Sequence, residues 1–112
     1  MDLKTIAEQV HSNSIDKGWW TTNFNILEKL ALIHSEVSEA LEEYRNPDNT
    51  DFSKVKYDKS GKVPEGFAIE LADIIIRTLD LAVHLHINIE QVVLEKMSYN
   101  STRPYRHGGK RA

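Results

Sequence analysis

Several kinds of residue and pattern are missing from this chain. It contains no cysteine, which excludes disulfide bonds, thiolate catalysis and zinc or iron–sulfur sites held by cysteine. No stretch approaches the apolar length of a membrane span, and the first residues lack the basic and apolar regions of a signal peptide. Sustained alternation of polar and apolar residues, the pattern of half-buried strands, is nearly absent as well. These absences predict a helical, cytoplasmic protein that does not contact membranes.

Length and charge narrow the possibilities further. With 112 residues, the chain is long enough for one domain with a modest core and too short to expect two. Its formal net charge of −3 is unevenly distributed: residues 96–112 contain five lysine or arginine residues and no acid, so residues 1–95 carry a net charge of −8. An acidic body with a basic C-terminal arm suits a phosphate-rich ligand that a metal bridges on one side and cations hold on the other.

The segment from Phe67 to Leu85 predicts a helix with a single polar stripe. At about 100° per residue, its charged side chains fall within an arc of roughly 80°, and nearly all its other residues are apolar. Such a helix is largely buried, so the stripe is expected to point into the protein or an interface. Buried carboxylates need a partner, and for several together a metal cation is the simplest one. The stripe consists of Glu70, Asp73, Arg77, Asp80 and His84.

A second acidic pair, Glu36 and Glu39, lies upstream on another predicted helix. The two residues are three positions apart, so they share one helix face. On antiparallel helices this pair would meet Glu70 and Asp73 and bring four carboxylates together. Hard oxygen donors suit Mg²⁺ or Mn²⁺ and suit zinc or copper poorly. The sequence therefore predicts a Mg²⁺ site, with Mn²⁺ as a substitute, formed by Glu36, Glu39, Glu70 and Asp73.

Periodicity and capping residues predict an all-α fold, a helical bundle of about four helices. The bundle would comprise residues 1–100, followed by a basic C-terminal arm at 101–112. Between helices 2 and 3, residues 46–63 would form a long connecting loop or a small hairpin. The third helix is apolar on nearly every side, so we expect a homodimer or homotetramer to complete the bundle. The predicted helices run from Leu3 to about Ile15, from about Asn25 to Arg45, from Pro64 to between His84 and His86, and from Ile89 to about Ser98.

Three ring-bearing residues are candidates for contact with a nucleobase. Trp19 and Trp20 lie at the junction of the first two helices, where one indole could stack on a base. Both could instead cap the core, because large aromatic side chains dominate core packing. His11 completes a Glu8-x-x-His11 spacing that is found in di-iron bundles, but those sites need two such pairs, so a pocket or surface histidine fits better.

Arg77 and Asp80 extend the polar stripe beyond the predicted metal ligands. Because they are three residues apart, they could pair with each other and stabilise the helix. Alternatively, they could orient the metal ligands through hydrogen bonds. The sequence leaves both interpretations open.

The ordered set of motifs resembles the MazG-like, all-α nucleoside triphosphate pyrophosphohydrolases. That family has an E-x-x-E pair and an E-x-x-D pair separated by a connecting loop, which Glu36 to Glu39 and Glu70 to Asp73 match here. The loop is longer than in minimal members of the family. The similarity continues towards the C-terminus and covers most of the chain, through Lys96-x-x-x-Asn100-x-x-Arg103 and His107-Gly108-Gly109-Lys110.

The resemblance implies an enzyme that hydrolyses nucleoside triphosphates, such as dNTPs or non-standard nucleotides, to the monophosphate and pyrophosphate. The four acids would hold Mg²⁺ and form the catalytic site. Lys96, Arg103 and Lys110 would hold phosphate oxygens, with Asn100 as a neutral donor. A solvated basic tail is the alternative for these four residues.

Two other functions stay open from the sequence. A non-catalytic helical module could bind nucleic acid or another partner through its basic arm, with salt-sensitive affinity and without metal. For the enzyme, by contrast, no nucleic-acid partner is expected. A di-iron carboxylate protein would contain bound iron and absorb visible light.

Overall fold

The computed structural model describes all 112 residues and confirms the all-α class. Four long helices are joined by short links, except between the second and third, where a two-stranded antiparallel hairpin intervenes. None of the helices combines the length and apolar character that crossing a membrane requires. In chain order the elements are α1 (Leu3–Asp16), α2 (Ile26–Arg45), β1 (Lys56–Tyr57), β2 (Pro64–Glu65), α3 (Phe67–His84), α4 (Ile89–Ser101) and the short α5 (Arg106–Gly109).

Short polar side chains start three of the long helices. Asp2 accepts a hydrogen bond from the Thr5 backbone N–H at 2.8 Å, and Asn25 accepts one from Leu27 N–H at 2.8 Å. Asn88 begins α4 in the same way, as its sequence position indicates. These caps satisfy backbone N–H groups that have no partner within the helix, so the sequence specifies where the helices begin.

The prediction that α3 begins at Pro64 is wrong. Pro64 and Glu65 form β2, which pairs with β1 through Tyr57 and Lys56, and the helix begins only at Phe67. Between them Gly66 has φ +120°, and a Cβ there would lie 3.4 Å from the Lys54 carbonyl oxygen. Proline's fixed φ suits an edge strand as well as a first helical turn, and strand pairing decides between the two.

The helices leave an unusually large surface for one chain. The solvent-accessible area is 8806 Å², whereas a compact monomer of this mass exposes about 6,300 Å². The radius of gyration is 16.8 Å, against about 13 Å for a compact domain of this length. Helix α3 lies against both α1 and α2, yet the buried apolar side chains are few: Ala7, Ala40, Leu79, Leu81 and Ala82.

Candidate metal centre

Three of the four predicted carboxylates come together where α2 packs against α3. Glu36 on α2 and the pair Glu70 and Asp73 on α3 each offer one oxygen, and these oxygens all lie within 4.8 Å of one another. Glu36 is only 6% exposed, while the other two side chains are half-buried. The spacing of three residues places Glu70 and Asp73 on the face of α3 that meets α2. Hard oxygen donors that lie this close together could hold a metal ion.

Two oxygens of these carboxylates are buried without a hydrogen-bond partner. They are Oε2 of Glu36 and Oε2 of Glu70. The other oxygen of Glu36 accepts a hydrogen bond from Arg77 Nε at 2.8 Å. A buried carboxylate oxygen without a partner is unfavourable, and a divalent cation between the carboxylates would satisfy both. The residues could therefore hold a metal ion.

Crowding of negative charge shifts the acid–base behaviour of the three carboxyls. Burial, together with the neighbouring Glu39 and Glu36, raises the pKa of Glu70 to about 8. Burial and the charge of Glu36 also raise the pKa of Asp73. For Glu36, burial acts to raise the pKa, but the hydrogen bond from Arg77, together with the neighbouring Glu39 and Glu70, outweighs it and lowers the pKa. At neutral pH the metal-free cluster thus retains a proton on Glu70 and negative charge on Glu36.

Glu39, the fourth predicted ligand, lies beside the group and outside it. Its side chain is exposed and does not belong to the set of oxygens within 4.8 Å. It is nevertheless close enough to act on the pKa of both Glu36 and Glu70. One turn of α2 therefore carries two acids in different environments, one buried and one exposed.

A cavity of about 660 Å³ opens next to the acidic group. Glu36, Asp73 and Arg77 line it, as do Trp19 and Lys29. Its volume is that of a small-molecule site, so a ligand of nucleotide size would lie beside the carboxylates. Lys29 is not among the site residues that the sequence predicts. Its position seven residues before Glu36, two turns away on the same helix face, is the signal that could have identified it.

Asp80 organises a second cluster that ties α1 to α3. Its Oδ1 accepts hydrogen bonds from His11 Nδ1 at 2.7 Å and Trp20 Nε1 at 2.9 Å, and its Oδ2 accepts one from Ser14 Oγ at 2.7 Å. Arg77 and Asp80 therefore do not pair with each other, because each has a partner on another element. The polar stripe of α3 divides into two parts, one facing α2 and one facing α1.

The two tryptophans occupy different environments. Trp20 stacks on His84, with ring centroids 3.7 Å apart and planes inclined by 5°, and the Lys29 ammonium lies over its ring at 4.3 Å. With its N–H bonded to Asp80, Trp20 is held within the cluster, and so is His11. Both tryptophans line the cavity, but Trp19 is 70% exposed whereas Trp20 and His11 are half-buried. Of the three candidates for base contact, Trp19 is therefore the most exposed.

The four residues predicted to bind phosphate lie outside this cavity. Lys96 Nζ and the Arg103 guanidinium lie over the Tyr99 ring, 4.7 and 5.6 Å from its centroid. Asn100 and Lys110 are exposed. Within one chain these residues do not line the space beside the acidic group. The cations that do line it are Arg77 and Lys29.

Comparison with known proteins does not identify a family for this chain. Comparison with protein-family models gave no match, and comparisons with curated proteins and with solved structures gave none either.

Proposed function

We propose that the protein is a Mg²⁺-dependent hydrolase that converts nucleoside triphosphates to the monophosphate and pyrophosphate. The observation that carries this proposal is the group of three carboxylate oxygens within 4.8 Å of one another, beside a cavity of about 660 Å³ that Glu36 and Asp73 line. The resemblance of the two acid pairs to the MazG-like pyrophosphohydrolases supports the same reaction. dNTPs or non-standard nucleotides are the proposed substrates.

Each residue of the site would have a separate role in this reaction. Glu36, Glu70 and Asp73 would hold the metal, and Glu70 would give up its proton on binding it. When bound, Mg²⁺ neutralises phosphate charge and makes water a better nucleophile. Glu39, exposed and outside the ligand group, would accept the proton of the water that attacks the α-phosphorus. Trp19 would stack on the nucleobase within the cavity.

The exposed apolar surface supports the proposed assembly into a homodimer or homotetramer. The chain exposes about 2,500 Å² more than a compact monomer of its mass. A subunit in a permanent dimer buries an area of about this order. Along α2, the half-exposed Leu30, Val37 and Leu41 lie near one face, at spacings of seven and four residues. A second copy would cover this surface and could carry its basic arm toward the cavity.

The direct test is product analysis with a panel of NTPs and dNTPs in Mg²⁺ and ¹⁸O-water. We expect monophosphate that contains ¹⁸O, together with unlabelled pyrophosphate, and loss of activity in excess EDTA. Orthophosphate with diphosphate as the first products, or activity that persists in EDTA, would refute the proposal.

Matched amide substitutions test the roles of the individual acids. Glu36→Gln should abolish Mn²⁺ binding and turnover together, since Glu36 is a ligand in the proposal. Glu39→Gln should abolish turnover while Mn²⁺ still binds. Near-normal turnover of Glu39→Gln would exclude it as the proton acceptor.

The alternative function, a non-catalytic module that binds nucleic acid or a protein through its basic arm, requires no metal. It predicts salt-dependent binding of oligonucleotides that EDTA does not change. The same protein preparation can be tested for both activities.

A further inference from the structure

The Arg77 side chain uses only part of its hydrogen-bonding capacity. Its Nε donates to Glu36 Oε1 at 2.8 Å, and this is its single hydrogen bond in the chain. A guanidinium carries five N–H donors, so both terminal nitrogens are left without a protein partner. The side chain is 40% exposed and lines the cavity beside the carboxylates. Arg77 therefore presents a fixed positive charge and a free pair of donors to whatever occupies that cavity.

We propose that Arg77 is a phosphate-binding residue, which holds a ligand phosphate next to the metal through its terminal nitrogens while its Nε keeps hold of Glu36. The inference rests on the proposed function for the nature of the ligand. The planar fork of a guanidinium matches two oxygens of one phosphate group.

The placement of Glu36 couples this phosphate contact to the metal. One oxygen of Glu36 is bound to Arg77, and the other is buried without a hydrogen-bond partner, while Glu36 itself belongs to the group of three carboxylates. The Glu36 oxygen that Arg77 leaves without a partner would be available to hold a metal. A phosphate bound to Arg77 is then held within reach of the metal, which favours binding of the two together.

Lys29 provides the matched comparison, because it is the other cation that lines the cavity. Its ammonium already donates to the Trp19 carbonyl oxygen at 3.1 Å and lies over the Trp20 ring. It makes no hydrogen bond or ion pair with Glu36. A general need for positive charge in the cavity would make both cations equally important, whereas the geometry assigns the phosphate contact to Arg77.

The test is a set of titrations by calorimetry with Mn²⁺ alone, then with inorganic tripolyphosphate and with an α,β-imido deoxynucleoside triphosphate in saturating Mn²⁺. Variants are Arg77→Met, Arg77→Lys and Lys29→Met, each checked for helix content by circular dichroism. For Arg77→Met we expect affinity for both phosphate probes to fall roughly ten- to hundredfold. Affinity for Mn²⁺ alone should stay the same or rise, since a positive charge next to a ligand has been removed.

Arg77→Lys keeps a cation beside Glu36 and serves if Arg77→Met does not fold. This substitution should weaken the binding of both phosphate probes about tenfold, because lysine lacks the planar pair of donors that the guanidinium provides. Lys29→Met should change affinity for tripolyphosphate less than Arg77→Lys does. If the Arg77 variants lose Mn²⁺ binding in parallel, Arg77 only positions Glu36 and the proposal is overturned. Unchanged affinity for the phosphate probes in these variants would also overturn it.

The two proposals fail in different ways. If the wild-type protein binds tripolyphosphate through Arg77 but hydrolyses no nucleotide, the phosphate site stands and the proposed reaction is wrong. If the wild-type protein binds neither phosphate probe, the assignment of Arg77 is wrong.

Discussion

Replacing Glu70 by Gln should remove a pH dependence of stability that the carboxylate cluster creates. In the folded chain the pKa of Glu70 is raised to about 8 by burial and by Glu39 and Glu36, against an ordinary value of 4.5. Between these two values the folded protein holds a proton that the unfolded chain releases. The stabilising contribution is therefore complete below pH 4.5 and is lost as the pH rises towards 8.

The size of the effect follows from the linkage of one proton. Stability should fall by at most about 1.4 kcal/mol per pH unit across this window. From pH 5 to pH 8 the loss is about 3 kcal/mol, which corresponds to roughly 10 °C in Tm for a domain of this size. The raised pKa of Asp73 acts in the same direction, whereas the lowered pKa of Glu36 acts in the opposite one.

Thermal melts in EDTA at pH 5, 6, 7 and 8 provide the measurement. The Tm of the wild type should fall with rising pH. The Tm of Glu70→Gln should depend less on pH and should exceed that of the wild type at pH 8. Glu42→Gln is the control, because Glu42 lies on the exposed side of α2 with Arg45 as its partner. Mg²⁺ should raise the wild-type Tm more at pH 8 than at pH 6, since metal and proton compete for Glu70. An equal pH slope in wild type and Glu70→Gln would refute the pKa argument.

Three further outcomes are expected. Asp80→Ala removes the acceptor of three hydrogen bonds and should lower the free energy of unfolding by about 3 kcal/mol, measured by urea denaturation; a loss under about 0.5 kcal/mol would mean that the cluster does not stabilise α1 on α3. Val37→Glu with Leu41→Glu should convert the proposed oligomer to monomer in light scattering, whereas a wild-type protein that is itself monomeric would contradict the proposed assembly. Deletion of residues 103–112 should lower kcat/KM for triphosphates roughly ten- to hundredfold; unchanged hydrolysis would remove the arm from the site, and loss of salt-sensitive oligonucleotide binding would favour the alternative function.

Local features of the chain were sufficient to predict its four long helices, apart from the residue at which α3 begins. The helical class, the start of α4 at Asn88 and the end of α2 at Arg45 follow from side chains that act within one turn. The start of α3 was misplaced because Pro64 is compatible with two local conformations. Only pairing with β1, whose residues lie seven to nine positions earlier, selects the strand.

By itself, the sequence determined which residues can face one another: spacing of three residues puts Glu36 with Glu39 and Glu70 with Asp73, whatever the rest of the fold. The tertiary structure decided which of these acids meet, and it brought together Glu36, Glu70 and Asp73 with Glu39 to one side. It also decided the partners of the charged stripe: Arg77 is hydrogen-bonded to Glu36 on α2, and Asp80 is hydrogen-bonded to α1. The physical reason is that helix periodicity fixes the face on which a side chain lies, while hydrogen-bond partners on other helices depend on rotation and packing distance, which periodicity does not encode.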